Sequence, residues 1–256
     1  MSGWNAAQYL KFQQQRTQPA IDLAARIPLE APKKIVDIGC GPGNSTAVLQ
    51  KRFPQAEILG VDSSPDMISA AKQAHPDLQF RQCCVPEELS ALGNDYDVVF
   101  SNACIQWIPA HRTLLPQMMA LLRTGGVLAV QIPVNHKEPI HQIIQQLATG
   151  ETWKSHFPNP RIFYQLTMPE YYDLLGEVSA HFEIWETIYM HAMPSHHAIM
   201  EWYRGTGLRP YLAALSPELQ AKFEQDVLDG VVQAYPMQKD GTVIFPFPRL
   251  FFLAQR

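Results

Sequence analysis

The chain has 256 residues, of which 46% are hydrophobic and 17% are charged, and its formal net charge is −4. This composition supports a full hydrophobic core, and the length favours one domain with an elaboration or two small domains. Nucleic acids and anionic membrane surfaces bind basic patches, so a slightly acidic chain without a run of lysine or arginine is not expected to bind either.

The cysteines and the hydropathy pattern predict a cytoplasmic protein. The four cysteines form no C-x-x-C pair, which indicates reduced thiols. The start of the sequence has no basic segment followed by an apolar one, and no run approaches ~18 apolar residues. We therefore expect no membrane partner and no obligate protein partner.

Apolar side chains recur at helical spacing between residues 3 and 26, on both sides of Pro19. This pattern predicts two short amphipathic helices. Helices placed ahead of a glycine-rich turn commonly fold over its open end, so residues 1–28 are predicted to form a lid that brings Arg16 toward a ligand. The alternative is that these helices only cover the flank of the sheet.

Residues 35–44, IVDIGCGPGN, predict a buried strand that runs into a glycine-rich turn. The isoleucines and valine are typical of a strand covered on both faces. Gly39, Gly41 and Gly43 permit turn conformations and let a ligand approach the backbone closely. A helix then begins at Ser45, and its first amides point back toward the turn.

The glycine spacing separates two classes of nucleotide site. The dinucleotide fingerprint G-x-G-x-x-G would need a third glycine where this sequence has Asn44. The spacing here is G-x-G-x-G, and Asp37 precedes it by two residues, where it can accept hydrogen bonds from turn amides or from a ligand ammonium. This combination resembles the first motif of class I S-adenosylmethionine-dependent methyltransferases. The plainer alternative is that the glycines serve tight packing only.

Asp62 ends the second predicted strand, residues 56–62, and follows the first glycine by 23 residues. An acidic residue at this place is positioned to accept hydrogen bonds from both hydroxyls of a ribose. Ser63 and Ser64, followed by Pro65, predict the start of a helix. The alternative role for Asp62 is to cap that helix, although the neighbouring serines can do so instead.

The next two strands lead to further candidate contacts. The third strand, residues 78–80, leads to Cys84, where the methyltransferase pattern has an acidic side chain that contacts adenine. A thiol is a weaker acceptor than a carboxylate. The fourth strand, residues 96–102, leads to Gln106 and Trp107, in a loop expected to line the pocket because ligands of open α/β sheets lie at the carboxyl ends of strands. Trp107 is equally consistent with a core residue.

The alternation of strand and helix continues through a helix at residues 111–123 and a fifth strand at residues 127–132. It predicts a doubly wound, mostly parallel α/β sheet. An insertion follows from Pro133.

The last third of the chain predicts a strand at residues 182–189 and helices at residues 195–208 and 217–235. Pro246 and Pro248 interrupt the closing apolar segment. Because proline cannot donate to a central ladder, this segment is predicted to be an interrupted or edge strand.

Several segments together make the chain resemble the trans-aconitate methyltransferase family. The matching segments are residues 4–5, 9–10, 37–47, 62–65, 106–107, 193–196, 206–210 and 247–251. The resemblance implies a seven-stranded, Rossmann-like sheet with a reversed final hairpin and a helical insertion or cap. It also implies S-adenosylmethionine as the cofactor and monomethyl esterification of trans-aconitate or a related small polycarboxylate.

This resemblance defines a domain plan and a candidate site. The plan is one domain, 1–256, with a cofactor-binding core at 29–133 and substrate-side insertions or cap at 134–180 and 192–240. The cofactor-binding candidates are Arg16, Asp37, Gly39, Gly41, Gly43, Asn44, Asp62, Ser63, Met67, Cys84, Val85, Asn102, Ala103 and Trp107. The substrate-binding candidates are Tyr164, Arg209 and Arg249, and Trp107, Tyr189 and His191 are candidate positioning residues.

The chemistry of an acid substrate needs few protein groups. A carboxylate with a pKa near ~4 is already ionised at neutral pH, so no general base is required. Arginine suits the substrate because its planar guanidinium holds a carboxylate bidentately. No metal site is expected, since the adjacent His196 and His197 point about 100° apart on a helix.

Three alternatives remain open at this stage. One is methylation of another acid, such as the free carboxyl of a malonyl thioester. A second is methylation of a hydroxyl compound, which would require a base such as His141 or His191. The third is a binder that retains the nucleoside pocket without catalysis.

Overall fold

The structure of the chain is a computed structural model that describes residues 13–158 and 164–256, without the side chains of residues 13, 14 and 16. The predicted contact of Arg16 and residues 1–12 of the predicted lid lie outside these described parts. The helix that is described here, α1 (Gln13–Arg26), runs through Pro19 instead of beginning near it.

Seven strands form one sheet in the order β3-β2-β1-β4-β5-β7-β6. The strands are β1 (Lys34–Ile38), β2 (Glu57–Asp62), β3 (Gln79–Gln82), β4 (Tyr96–Asn102), β5 (Leu122–Pro133), β6 (His181–Met193) and β7 (Val243–Gln255). The first five pair in parallel, and β7 runs antiparallel to β5. The predicted Rossmann-like sheet with a reversed final hairpin is therefore confirmed.

Helices connect the first five strands as the alternation predicts, except between β3 and β4, where the structure has only a short 3-10 helix, Leu89–Leu92. The helices after α1 are α2 (Asn44–Arg52), α3 (Pro65–Ala74), α4 (His111–Ala120), α5 (Pro139–Thr149), α6 (Met168–Val178), α7 (His196–Arg204), α8 (Arg209–Ala213) and α9 (Pro217–Ala234). The start of α3 is confirmed in detail, because the Ser64 hydroxyl accepts a hydrogen bond from the Met67 amide at 3.4 Å and Pro65 occupies the first turn. Among the described residues, no helix is long and apolar enough to cross a membrane.

The predicted helix at residues 111–123 is too long. It ends at Ala120, and β5 begins at Leu122, which pairs with Tyr96 of β4. The Arg123 side chain donates to the buried Asp97 of β4. These contacts with β4 extend β5 toward its amino end. They join residues that are far apart in the sequence, so helical periodicity cannot predict them.

The prediction of an interrupted or edge strand at the chain end is wrong. β7 is continuous and lies between β5 and β6. Its ladder with β5 runs from Arg249 to Gln255, beyond both prolines, so no proline amide is needed in it. Pro248 contributes through its carbonyl, which accepts from the Val134 amide at 3.0 Å.

The chain divides into two compact units. The sheet unit comprises Arg16–Pro133, Phe163–Thr187 and Arg249–Arg256, and its core includes the fully buried residues of β1, β4 and β5. The aromatic unit consists mainly of Val134–Ile162 and Ile188–Pro248. Its core is a cluster of aromatic and aliphatic side chains that includes Trp202, Tyr203, Phe223 and Phe245.

Candidate active site

The glycine turn joins β1 to α2, and its three glycines adopt positive φ values of 74°, 54° and 92° at Gly39, Gly41 and Gly43. Glycine adopts these conformations without the strain that a Cβ brings. A Cβ on Gly39 would lie 2.1 Å from the Cys104 sulfur, whereas a Cβ on Gly41 would have no heavy atom within 4 Å. Gly39 is therefore required for packing, and Gly41 borders open space.

Asp37 lies in β1 beneath this turn and is fully buried. Its Oδ2 accepts hydrogen bonds from the hydroxyls of Ser45 at 2.6 Å and Thr46 at 2.7 Å. Within the described parts of the chain, its Oδ1 is buried and has no hydrogen-bond partner. Burial raises the pKa of Asp37 to about 6, although the two hydroxyl hydrogen bonds oppose the shift.

The predicted partners of Asp37 are corrected by these contacts. Side chains from the first turn of α2 bind the carboxylate, and the expected turn amides do not. The amide of Gly41 instead donates to Asp62. A buried carboxylate oxygen without a partner is costly, so Oδ1 is suited to accept from a cationic group of a ligand.

Asp62 lies at the carboxyl end of β2 and is half-buried. Its Oδ2 accepts from the Gly41 amide at 3.0 Å, and its Oδ1 accepts from the Ser64 amide at 2.9 Å. Ser64, not Asp62, caps α3. Since each carboxylate oxygen can accept more than one hydrogen bond, Asp62 keeps acceptor capacity for a ribose. Ser63 beside it is exposed, and Met67 is half-buried in the first turn of α3.

Cys84 follows β3 and is exposed, and Val85 beside it is half-buried. The Cys84 amide donates to the Glu88 carboxylate at 2.6 Å. The preceding Cys83 amide donates to the Asp62 carbonyl at 3.0 Å, which places this segment beside the end of β2. The adenine contact of Cys84 stays a prediction.

The end of β4 and the loop after it carry polar atoms that the described residues leave unsatisfied. The Oδ1 of Asn102 and the Oε1 of Gln106 are buried there without a hydrogen-bond partner. Ala103 adopts a φ of 53°, and its amide donates to the Gln131 carbonyl at 2.9 Å. Trp107 is 49% exposed, so the alternative that it is a core residue is wrong.

Arg249 lies on β7, beside the carboxyl end of β5, where it pairs with Pro133. It is only 4% exposed, and its Nη1 donates to the Oε1 of Gln131 at 3.2 Å. Gln131 in turn pairs with Asn102 of β4. The sheet therefore brings a buried guanidinium close to the loop that follows β4.

Comparisons with known proteins agree with this geometry. A methyltransferase domain family model matches residues 35–126. A trans-aconitate 2-methyltransferase from Azoarcus sp. is 44% identical over 100% of both chains, and one from Escherichia coli is 43% identical over 100% of this chain and 99% of its own. This chain belongs to the trans-aconitate 2-methyltransferase family. The resemblance stated from sequence is confirmed.

A solved structure supports the fold of this family member. Geranyl diphosphate C-methyltransferase from Streptomyces coelicolor, in complex with Mg²⁺, geranyl diphosphate and S-adenosyl-L-homocysteine, superposes with a TM-score of 0.55 at 15% identity. The match covers 100% of this chain and 85% of that one. At this identity the likeness shows the fold alone.

As a member of this family, the chain is an enzyme whose methyl donor is S-adenosylmethionine, and its residues fit that cofactor. The cofactor carries a ribose, an ammonium and a sulfonium. The open side of Gly41, the unpaired Oδ1 of Asp37 and the acceptor capacity of Asp62 match these groups. Asn44 begins α2 directly after the turn.

The aromatic unit of this chain contains three of the remaining candidates for substrate binding or positioning. Tyr189 and His191 are half-buried neighbours on β6, and their rings are nearly parallel with centroids 6.3 Å apart. His191 also lies 5.2 Å from the ring of Trp202. Arg209 begins α8 and is half-buried. Tyr164 belongs instead to the sheet unit, where it is 40% exposed.

Sequence reasoning missed two groups that bear on the site. Gln131 is the polar residue within a buried apolar strand, and this interruption was the available signal. His111 is buried behind the loop after β4, where its Nε2 donates to the Ile105 carbonyl at 2.8 Å and its Nδ1 accepts from the Tyr171 hydroxyl at 2.6 Å. No local pattern links His111 to Tyr171, which lies 60 residues away. Among the described residues, no group of three or more potential ligands for a metal ion occurs.

Proposed function

We propose that the chain transfers the methyl group of S-adenosylmethionine to one carboxylate of trans-aconitate, or of a related small polycarboxylate, and so forms a monomethyl ester. Its relatives with 43% and 44% identity bear the name of that substrate. The structural observation that carries the proposal is Arg249, whose buried guanidinium lies at the ligand edge of the sheet. A cation in this setting interacts strongly with an anion because little water screens it.

Esterification of a carboxylate requires little chemistry from the protein itself. The acid is ionised at neutral pH, so the protein does not have to remove a proton before the oxygen attacks. S-Adenosylmethionine supplies an electrophilic methyl group and leaves as S-adenosylhomocysteine. The protein has to align the acid within ~3 Å of that methyl group and to neutralise the remaining carboxylates.

The roles proposed for the residues follow from their charges. Asp37 and Asp62 hold cationic and hydroxyl groups of the cofactor, and Gly41 leaves room for it. Arg249 binds a carboxylate of the substrate. Tyr164, Tyr189, His191 and Arg209 are the candidate donors for its other carboxylates, and Trp107 is the candidate for shaping the chamber.

The test uses purified full-length protein and methyl-labelled S-adenosylmethionine. The acceptors are trans-aconitate, cis-aconitate, citrate, a malonyl thioester and a phenol. Release of labelled methanol by mild base identifies an ester. We expect the highest kcat/KM with trans-aconitate, and absence of a base-labile product with every polycarboxylate would refute the proposal. A base-stable product with the phenol would indicate a hydroxyl acceptor, and S-adenosylhomocysteine binding without turnover would indicate a binder.

A further inference from the structure

Gln131 of β5 has an amide whose orientation the structure fixes. The side chain is fully buried, and its Oε1 accepts a hydrogen bond from Nη1 of Arg249 at 3.2 Å. A guanidinium can only donate, so the atom of Gln131 that faces it must be the oxygen. The assignment of the two amide atoms, often ambiguous, is settled here.

The opposite end of this amide has no acceptor. In the part of the chain that the structure describes, Nε2 of Gln131 is buried and makes no hydrogen bond. Leaving a buried donor unsatisfied is unfavourable, and folded proteins rarely do so without a reason. A ligand that accepts a hydrogen bond at this point would remove the penalty.

The unsatisfied buried atoms at this edge of the sheet include acceptors and a donor, and one further acceptor, Oε1 of Gln165, lies near the end of β5, where the Gln165 Nε2 donates to the Pro133 carbonyl. On β1 and β4 they are acceptors, the Oδ1 atoms of Asp37 and Asn102. On β5 the unsatisfied atom is the Nε2 donor of Gln131, next to the Arg249 guanidinium. The acceptors suit the cationic groups of the cofactor, and the Gln131 donor beside Arg249 suits an anion that only accepts, as the carboxylate of the proposed substrate does.

We infer that Gln131 binds a carboxylate of the acid substrate together with Arg249, and that this pair determines specificity for acids at this position. Arg249 contributes charge, and its hydrogen bond turns the Gln131 amide so that Nε2 is available to the same carboxylate. This inference rests on the proposed function, because it concerns the same acid. The cofactor has its own carboxylate, which is the competing source of the same chemistry.

The experiment compares three variants with the wild type. Q131M keeps the length of the side chain and removes the amide, and Q131E keeps an acceptor for Arg249 but brings a negative charge toward the substrate. Q50M is the matched control, because the Gln50 amide donates to the Pro54 carbonyl near the end of α2, away from the loop after β4. The measurements are KM and kcat for trans-aconitate, calorimetric affinity for S-adenosylhomocysteine, and thermal stability.

We expect the KM for trans-aconitate to rise about ten- to a hundredfold in Q131M and further in Q131E, as for loss of a hydrogen bond to a charged group. Affinity for S-adenosylhomocysteine should stay within about twofold, and Q50M should match the wild type. A loss of S-adenosylhomocysteine affinity with an unchanged KM would assign Gln131 to the cofactor carboxylate and overturn the inference. Unchanged values of both would show that Gln131 is structural only.

Two further results keep this test separate from that of the proposed function. If Q131M is too unstable to assay, Q131E still decides the matter, since it retains the contact with Arg249. If the wild type methylates a different acid, the same comparison is made with that acid. If the wild type methylates no acid at all, the proposed function fails, whereas normal methylation by both variants overturns only the role of Gln131.

Discussion

The carboxylate of Asp62 accepts the amide hydrogen of Gly41 at 3.0 Å, and so links the end of β2 to the glycine turn that follows β1. The two residues belong to neighbouring parallel strands and their turns. Asp62 thus holds the glycine turn, and in the proposed site it has a second task, which is to accept hydrogen bonds from the ribose of the cofactor.

Replacing Asp62 should weaken cofactor binding through both tasks. We expect D62A to lose about 1–3 kcal/mol of binding free energy for S-adenosylhomocysteine, and D62N to lose less because its amide oxygen still accepts one hydrogen bond. Isothermal calorimetry measures the difference. E57A, at the exposed start of the same strand, is the control. Unchanged affinity in D62A would remove Asp62 from the site.

Gly41 should be more important for the cofactor than for folding. In G41A the new Cβ meets no protein atom, so the main folding cost is the positive φ of 54°, about 1–2 kcal/mol. The same methyl group projects into the space that a ligand needs, and S-adenosylhomocysteine affinity should fall by about tenfold or more, equivalent to about 1.4 kcal/mol.

G241A is the matched control for this variant. Gly241 also has a positive φ, of 84°, and its added Cβ would likewise meet nothing within 4 Å. Chemical denaturation and calorimetry should therefore show similar losses of stability in the two variants, with a loss of affinity in G41A alone. Equal affinity in both would mean that Gly41 does not border the cofactor.

The part of the fold that local chemistry specifies was predictable from sequence. Ser64 and Pro65 mark the start of α3 because a capping hydroxyl and a proline at the first turn are local signals. The end of α4 was not predictable in this way. Pairing with β4 draws Leu122 into a strand, and pairing depends on residues far along the chain.

The candidate site shows the same division. The glycine turn and Asp62 were predictable because their spacing along the chain reflects one strand and one turn each. Gln131 and Arg249 are 118 residues apart, and only the antiparallel pairing of β7 with β5 brings them together. The sequence predicted an arginine for the substrate, but the amide that accompanies it depends on the strand order.

Asp37 should make cofactor binding dependent on pH. Burial raises its pKa to about 6, so the carboxylate is largely protonated below that pH and ionised above it. A cationic group at Oδ1 favours the ionised form, so binding should release protons near pH 6, and affinity should fall as the pH drops from 7 to 5.

Calorimetry of S-adenosylmethionine binding in buffers with different ionisation enthalpies measures this release. D37N cannot ionise at this position and should lose the pH dependence in the same window, with weaker binding at pH 7. If wild type and D37N release the same number of protons near pH 6, Asp37 is not the group that responds.

Tyr171 should stabilise the loop after β4 through His111. The Tyr171 hydroxyl donates a hydrogen bond to Nδ1 of His111, and Nε2 of His111 donates a hydrogen bond to the Ile105 carbonyl in that loop. Removing the hydroxyl in Y171F leaves a buried acceptor unsatisfied. We expect the free energy of unfolding to fall by about 1–3 kcal/mol.

The neighbouring Tyr172 provides a matched control, because it is 58% exposed. Y172F should change stability by less than about 0.5 kcal/mol. Denaturant titration measures both, and kinetics with a saturating cofactor tests the loop separately. If His111 positions the loop that carries Trp107, Y171F should also change kcat/KM for the acid at temperatures where the variant is fully folded. A variant as stable and as active as Y172F would show that the buried contact between Tyr171 and His111 does not hold the loop.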